Sequence, residues 1–410
     1  MAFTRKSANT TPLYDEIFTT VQLAKKAIAQ YGEENVINAT IGSLYGEDNT
    51  IVAFDSVYHH YDEIPSKVKA AYGSIAGSSS FKKTVYEWVT QNSTLDLYHD
   101  VIASPGGTGA ISTMFRSFLE EDQTIIIPDI AWGNYQLIAS QNNIKTQTYS
   151  LFEDNHFNLS SIKTVVKNIQ STQDRIVFVI NDPCQNPTGY SLTLDEWKDL
   201  IAFFNEVGQA TPVVIINDIA YIDYSYDLDR SRAYMETFNS ISEKVLITIA
   251  FSCSKSLTSY GLRCGASLIL GKKEEDVKDI AVIFEKDARA TWSNSANAPM
   301  ENFIWVIHEN KDAFIKEKDS YIQLLKERST IFITEANQCG LEMYPYKEGF
   351  FITLKIEDTA YARRVKEALM QKNIFTIVTN KGIRVAICSL PIEKCKGLAP
   401  TIKQIMDSVE

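Results

Sequence analysis

The chain has 410 residues, of which 45% are hydrophobic and 22% charged, an ordinary globular composition that excludes a disordered or low-complexity scaffold. Acidic side chains outnumber basic ones 51 to 40, and the net charge of −11 repels polyanions, so neither nucleic acid nor a membrane surface is expected as a partner. A chain this long can bury roughly three quarters of its unfolded surface and suits two domains better than one.

In chain order, the N-terminal stretch MAFTRKSANTTPLYDEIF carries a basic pair with no apolar run behind it, so no secretion signal is read. The longest apolar runs, such as 245–251, fall far short of the roughly 20 residues that span a bilayer. A cytoplasmic protein is expected. Six cysteines are scattered without a CxxC pair, which fits reduced thiols, and five histidines without HExxH give no reason to expect a bound metal.

Between about residues 100 and 300, short apolar runs alternate with helical patterns, the signature of parallel strands covered on both faces. Strands are predicted at 125–127, 176–181, 213–217, 245–251 and 266–270. Ile111, Met114, Phe115 and Phe118 form one helical stripe, Ile162, Val165, Val166 and Ile169 another. Thr193 and Glu196 form a capping-box pattern before a third. The pattern predicts an α/β fold with a large doubly wound, mostly parallel sheet over 56–299. After 300 come a long charged helix and the strand patterns FFITLKI, FTIVTN and IRVAICS. They predict a smaller α+β domain over 300–410, to which residues 1–55 are assigned as its N-terminal segment.

Ligands of an open parallel sheet bind beyond the carboxyl ends of its strands, so polar residues directly after strand runs are the candidates. Four segments stand there: SPGGTGA at 104–110, NDPCQNPTG at 181–189, NDIAY at 217–221 and FSCSKSLTSYGLRCG at 251–265. In the first, Gly107 and Thr108 open a helix whose N-terminal charge suits a phosphate; the spacing is neither a P-loop nor GxGxxG, and a plain glycine turn explains it equally well. In the second, Asn186 sits where an amide can point into the crevice, although Asn-Pro-Thr-Gly is also ordinary turn chemistry. In the third, Asp218 ends an apolar strand, where a carboxylate is costly without a cation, unless it merely caps a helix; Tyr221 can face the same crevice. In the fourth, a lysine in a serine-rich loop is usually solvated surface, but Lys255 stands at the carboxyl edge of a hydrophobic sheet, where burial would lower its pKa and leave a nucleophilic amine, and Arg263 has the fork suited to a phosphate. Together these groups ask for a ligand with a phosphate, a cationic ring atom, a ring oxygen and an aldehyde. Pyridoxal 5′-phosphate has all four.

These segments, in this order and at these separations, resemble the fold type I aminotransferases, specifically the subgroup of aspartate and aromatic amino acid aminotransferases, over about residues 37–392. The resemblance implies that Lys255 bonds the cofactor's aldehyde and shuttles the substrate proton, that Asp218 holds the ring nitrogen, and that Asn186 and Tyr221 meet the ring oxygen. It assigns Gly107, Thr108, Ser252 and Arg263 to the phosphate and Trp132 to the ring face. Arg384 becomes the two-point grip on the substrate α-carboxylate, and Gly42 belongs to a segment that closes over the substrate. Tyr72 is implied to reach the phosphate of a neighbouring subunit, which makes the dimer share its active sites. Arg289 falls where an arginine from the neighbouring subunit binds a distal carboxylate, though its charged surroundings also suit a solvated helix end, and Thr291 and Trp292 depart from a dedicated aspartate enzyme. The expectation is a homodimeric aminotransferase that moves an amino group from aspartate or an aromatic amino acid to 2-oxoglutarate by ping-pong exchange. A β-eliminating lyase using the same cofactor, and a non-catalytic nucleotide-binding or regulatory protein, are the alternatives.

Overall fold

The computed structural model describes residues 3–4, 10–13, 15–227 and 230–409. Residues 1–2, 5–9 and 14 of the N-terminal stretch read for a secretion signal lie outside the described residues.

Seven strands build the main sheet: β1 (Tyr98–Ser104), β2 (Thr124–Pro128), β3 (Lys145–Tyr149), β4 (Ile176–Asn181), β5 (Val213–Asp218), β6 (Val245–Ser252) and β7 (Gly265–Gly271), in the spatial order β1-β7-β6-β5-β4-β2-β3. From β6 to β3 every pairing is parallel, whereas β7 runs antiparallel to both β6 and β1. The apolar runs alternate between two layers. Ile126, Phe178, Ile215 and Ile247 pack in one buried cluster, and Ile125, Ile127, Val177, Val179, Val214 and Ile216 in the other, so the sheet is covered on both faces as its unbroken hydrophobicity requires. β3 escapes sequence detection because it is an edge strand with four of its five residues exposed, and its Lys-Thr-Gln-Thr face carries no apolar pattern.

Four helices matter for the site: α1 (Glu16–Tyr31), α2 (Gly106–Phe118), α3 (Asn134–Gln141) and α4 (Lys311–Cys339). The charged helix expected near 311–328 continues to Cys339, where Gly340 in the left-handed region ends it. Beyond it, β8 (Phe351–Lys355), β9 (Ile377–Thr379) and β10 (Gly382–Ala386) form a separate antiparallel sheet in the order β8-β10-β9. The pattern FTIVTN, read as one strand, is divided: Ile374–Phe375 pairs in parallel with Ile37–Asn38, and only then does β9 turn to β10. Ala24 and Ala27 of α1 pack with Val36 and Phe375, so the N-terminal helix rides on this short parallel pair.

The chain leaves β2 toward β3 but leaves β4 toward β5, on the opposite side. The sheet therefore reverses direction between the adjacent strands β2 and β4, and the loops beyond their carboxyl ends part there to leave a crevice.

Candidate active site

A cavity of about 390 Å³ occupies that crevice, and the four motif segments converge on it. Asp218, the last residue of β5, lies in register between Asn181 of β4 and Ala250 of β6 and is buried. Its carboxylate accepts the Tyr135 hydroxyl at 2.6 Å and the Ala220 amide at 3.0 Å. Burial raises its pKa against the pull of both hydrogen bonds.

Lys255 stands in the short helix that follows β6. Its amine donates to the Gly42 carbonyl at 2.6 Å and sits 4.7 Å from the Tyr260 ring centroid and 5.5 Å from that of Tyr221. Burial in the cavity wall lowers the ammonium pKa to about 8. Burial likewise pushes the Tyr221 phenol well above its ordinary value.

At the N-terminus of α2, Gly107 and Thr108 line the cavity beside Ser252 and Arg263. Gly106 has φ +76°, and a Cβ there would lie 2.5 Å from an Arg263 guanidinium nitrogen, so the residue before the expected pair is the one that must be glycine. Arg263 donates to the Ser254 hydroxyl and to the Tyr260 carbonyl, which aims its fork along the helix end.

On the opposite wall, Arg384 of β10 is buried, with its guanidinium stacked 4.4 Å from the Phe351 ring centroid. It donates to the Thr40 carbonyl at 2.6 Å and to the Asn186 side-chain oxygen at 3.3 Å, while its Nε has no partner among the described residues. Asn186 is held by its own backbone, whose N–H donates to the Asn181 side chain at 2.7 Å; Asn181 in turn donates to the Asp218 carbonyl at 2.8 Å. Trp132, after β2, lines the cavity edge-on to Tyr135.

Eleven of the thirteen residues expected from sequence thus share one cavity: Gly42, Gly107, Thr108, Trp132, Asn186, Asp218, Tyr221, Ser252, Lys255, Arg263 and Arg384. Tyr72 and Arg289 do not reach it. Tyr72 is 92% exposed and bridges backbone to backbone with Ala296, while Arg289 donates to Ser293 at the end of its helix. The Asn294 side chain, donating to the Gly73 carbonyl at 2.8 Å, holds the Tyr72 and Arg289 segments together on one surface. Sequence reasoning missed Tyr135, Asn181 and Tyr260, and also Asp15, Ile17 and Phe18, which α1 and its cap bring to the cavity. Asn181 and Tyr260 are polar residues inside two of the motif segments and Tyr135 stands three residues after Trp132, which was the available signal; the α1 residues carry none.

Comparison with known proteins agrees with this geometry. The aminotransferase class I and II family matches residues 34–402. An aspartate aminotransferase of Pseudomonas aeruginosa is 24% identical over 266 residues, 63% of this chain and 65% of that one, and an aromatic-amino-acid aminotransferase of Paracoccus denitrificans is 26% identical over 211 residues, 50% and 51% of the two. The chain thus spans about half to two thirds of the length of these curated relatives. Among solved structures, an aminotransferase from Anaerococcus prevotii superposes with a TM-score of 0.95 at 33% identity over the full length of both chains. The fold is shared by an aromatic-amino-acid aminotransferase from Burkholderia pseudomallei covalently bound to pyridoxal phosphate, with a TM-score of 0.77 at 17% identity, covering 98% of this chain and 100% of that one. This chain belongs to the aminotransferase class I and II family, among its class I pyridoxal phosphate-dependent members.

Proposed function

We propose that the chain is a homodimeric cytoplasmic aminotransferase that moves the amino group of aspartate or an aromatic amino acid to 2-oxoglutarate by ping-pong exchange. The observation that carries this reading is the meeting, in one cavity, of the Lys255 amine, a buried carboxylate and a buried guanidinium with a free N–H.

The donor set fits pyridoxal phosphate. Asp218 is held by a phenol and an amide, so a protonated ring nitrogen supplies the positive charge that a buried carboxylate needs. Gly107 and Thr108 at the positive end of α2, with Ser252 and Arg263, suit the phosphate; Asn186 and Tyr221 suit the ring oxygen, and Trp132 its face. Bound there, the cofactor supplies an aldehyde for amine exchange and a ring that draws electron density from the substrate's α-carbon. Lys255 Nζ is the base that takes the proton from that carbon and returns it, a task for which a pKa of about 8 is suited. Arg384 receives the α-carboxylate through two N–H groups, with Asn186 fixing the guanidinium from the side.

Ile17 and Phe18 of α1 also line the cavity, and this apolar edge suits the side chain of an aromatic donor. A distal carboxylate needs Arg289 from a second copy, because this residue stands outside its own cavity. Exposure of Tyr72 on the same surface supports a dimer with shared sites. The pairing of Ile37–Asn38 with Ile374–Phe375 supports assigning residues 1–55 and 300–410 to one domain and 56–299 to the other.

Incubation with an amino acid panel and 2-oxoglutarate tests the reading. Glutamate formed in step with the donor's oxoacid is expected; ammonia with pyruvate from a donor carrying a β-leaving group would identify an eliminating lyase instead.

A further inference from the structure

Glu348 lies in the segment that leads into β8, outside every motif named above, and it is 2% exposed. Its carboxylate accepts three hydrogen bonds. The Ser191 hydroxyl donates to Oε1 at 2.6 Å, and the Ser225 hydroxyl and the Tyr226 amide donate to Oε2 at 2.7 and 2.8 Å. A buried carboxylate is costly, and three convergent donors are what make it tolerable.

These donors come from two segments that otherwise leave different strands. Ser191 closes the loop after β4, whose Asn186 lines the cavity, and its oxygen also accepts the Cys184 amide at 2.9 Å. Ser225 and Tyr226 end the turn that begins at Tyr221, after β5. The backbone around Glu348 reinforces the grip: the amides of Lys347 and Glu348 both donate to the Gly189 carbonyl, at 2.9 and 3.0 Å, and the Thr353 hydroxyl donates to the Pro187 carbonyl at 2.6 Å. The contact leaves no slack at Gly189, whose φ is +72° and where a Cβ would stand 2.3 Å from the Tyr346 ring. The strand that follows, β8, presents Phe351 to both Tyr221 and Arg384.

We propose that Glu348 is a positioning residue for the reaction: it pins the Asn186 loop to the segment after Tyr221 and so sets the separation of these two side chains across the cofactor's ring oxygen. The inference rests on the functional reading above, which gives Asn186 and Tyr221 that oxygen as a common partner. Pair placement matters because hydrogen bonds to the ring oxygen favour its ionised form, and misplacing a reacting group by about an ångström can cost on the order of a hundredfold in rate.

The test follows the visible absorbance of the holoenzyme against pH, together with cofactor affinity and melting temperature. Glu348→Ala is expected to move the pH midpoint of the absorbance by about half a unit or more, a change of about threefold in the underlying equilibrium, and to weaken cofactor binding. Glu348→Gln is expected to return the midpoint toward the wild type, because its amide oxygen accepts from Ser225 and Tyr226 and its NH2 donates to the Ser191 oxygen. Ser191→Ala and Ser225→Ala each cut one arm, and they decide the matter if the alanine variant does not fold. A common midpoint for the wild type and every folded variant, with only the melting temperature changed, overturns the inference and leaves the functional reading standing. A wild-type chain that gives no absorbance change with pyridoxal phosphate overturns both.

Discussion

Tyr135 and Asp218 are joined by a 2.6 Å hydrogen bond from phenol to carboxylate, one side chain arriving from the first turn of α3 and the other from the end of β5. Each is buried, and each constrains the other: burial and then the carboxylate raise the phenol's pKa, and the phenol works against the upward push of burial on the carboxylate. Tyr135→Phe removes the donor without changing the packing volume. A lone hydrogen bond to a charged group is worth about 1.5–3 kcal/mol, so a loss of about ten- to a hundredfold in kcat/KM is expected. Because Asp218 then keeps its proton to higher pH, cofactor affinity should fail first on the acid side of the profile. Equal kcat/KM and an unmoved acid limb would reject the role.

Lys255 should show its lowered pKa directly. With the ammonium titrating at about 8, the reactive free amine is a minor species at pH 7 and the major one at pH 9. Capture of pyridoxal phosphate by the apoprotein, followed by stopped-flow absorbance, is expected to quicken about tenfold per unit as pH rises toward 8 and to level off above it. Lys255→Ala should show no capture at any pH. A rate that goes on climbing to pH 10 would mean an ordinary solvated lysine.

The two arginines are expected to separate by donor. Arg384→Ala removes a buried guanidinium that any α-amino acid would use, and loss of one partner of a buried charge pair costs about 2–5 kcal/mol, so every donor should lose about two to three orders of magnitude in kcat/KM. Arg289→Ala should lower efficiency with aspartate and glutamate while sparing phenylalanine. Steady-state kinetics over the same donors checks both, and an equal loss across all donors from Arg289→Ala would reject its carboxylate role.

Asp223 anchors stability behind the site. It is buried with Arg232 at 2.7 Å and Lys318 at 3.6 Å, and it also accepts the Trp88 indole N–H at 3.0 Å. Burial pushes its carboxyl up, but Lys318 and Arg232 outweigh that and hold it at about 2. A folded-state pKa below the unfolded one contributes stability above the ordinary carboxylate range, lost as pH falls through 2. Asp223→Asn strands two buried cations, and a destabilisation of about 3–5 kcal/mol is expected in urea unfolding at pH 7. The difference from wild type should shrink in acid, because the wild-type carboxylate is being neutralised there too.

How much of this was legible in the sequence depends on how each residue is placed. Asp218, Asn186 and Lys255 could be found because an apolar run marks a buried strand and the next polar residue marks its carboxyl edge. Arg384 was found through the family resemblance, its strand being read only as IRVAICS. Tyr135 was passed over because no side-chain cap marks the start of α3, so nothing in Trp-Gly-Asn-Tyr signals that the tyrosine turns inward. Ile17, Phe18 and Glu348 reach the site or its loops only through contacts far apart in sequence, which no local pattern encodes. The strand β3 failed for the opposite reason, being local but polar.

The exposed Tyr72 gives the sharpest test of shared sites. If its phenol serves the cavity of the other subunit, then Lys255→Ala and Tyr72→Ala fall in the same copy of the site when the two variants are paired. In the hybrid, one cavity carries both lesions and the other carries neither, since its Lys255 belongs to one chain and its Tyr72 to the other. Random reassociation of equal amounts makes half the dimers hybrid, so about a quarter of wild-type sites should be restored. The activity of the mixture, measured after mild denaturation and refolding together, should therefore exceed the mean of the two parents by a wide margin. An activity equal to that mean would place Tyr72 in the service of its own chain, or of none, and would leave Arg289 as the remaining structural reason for a dimer.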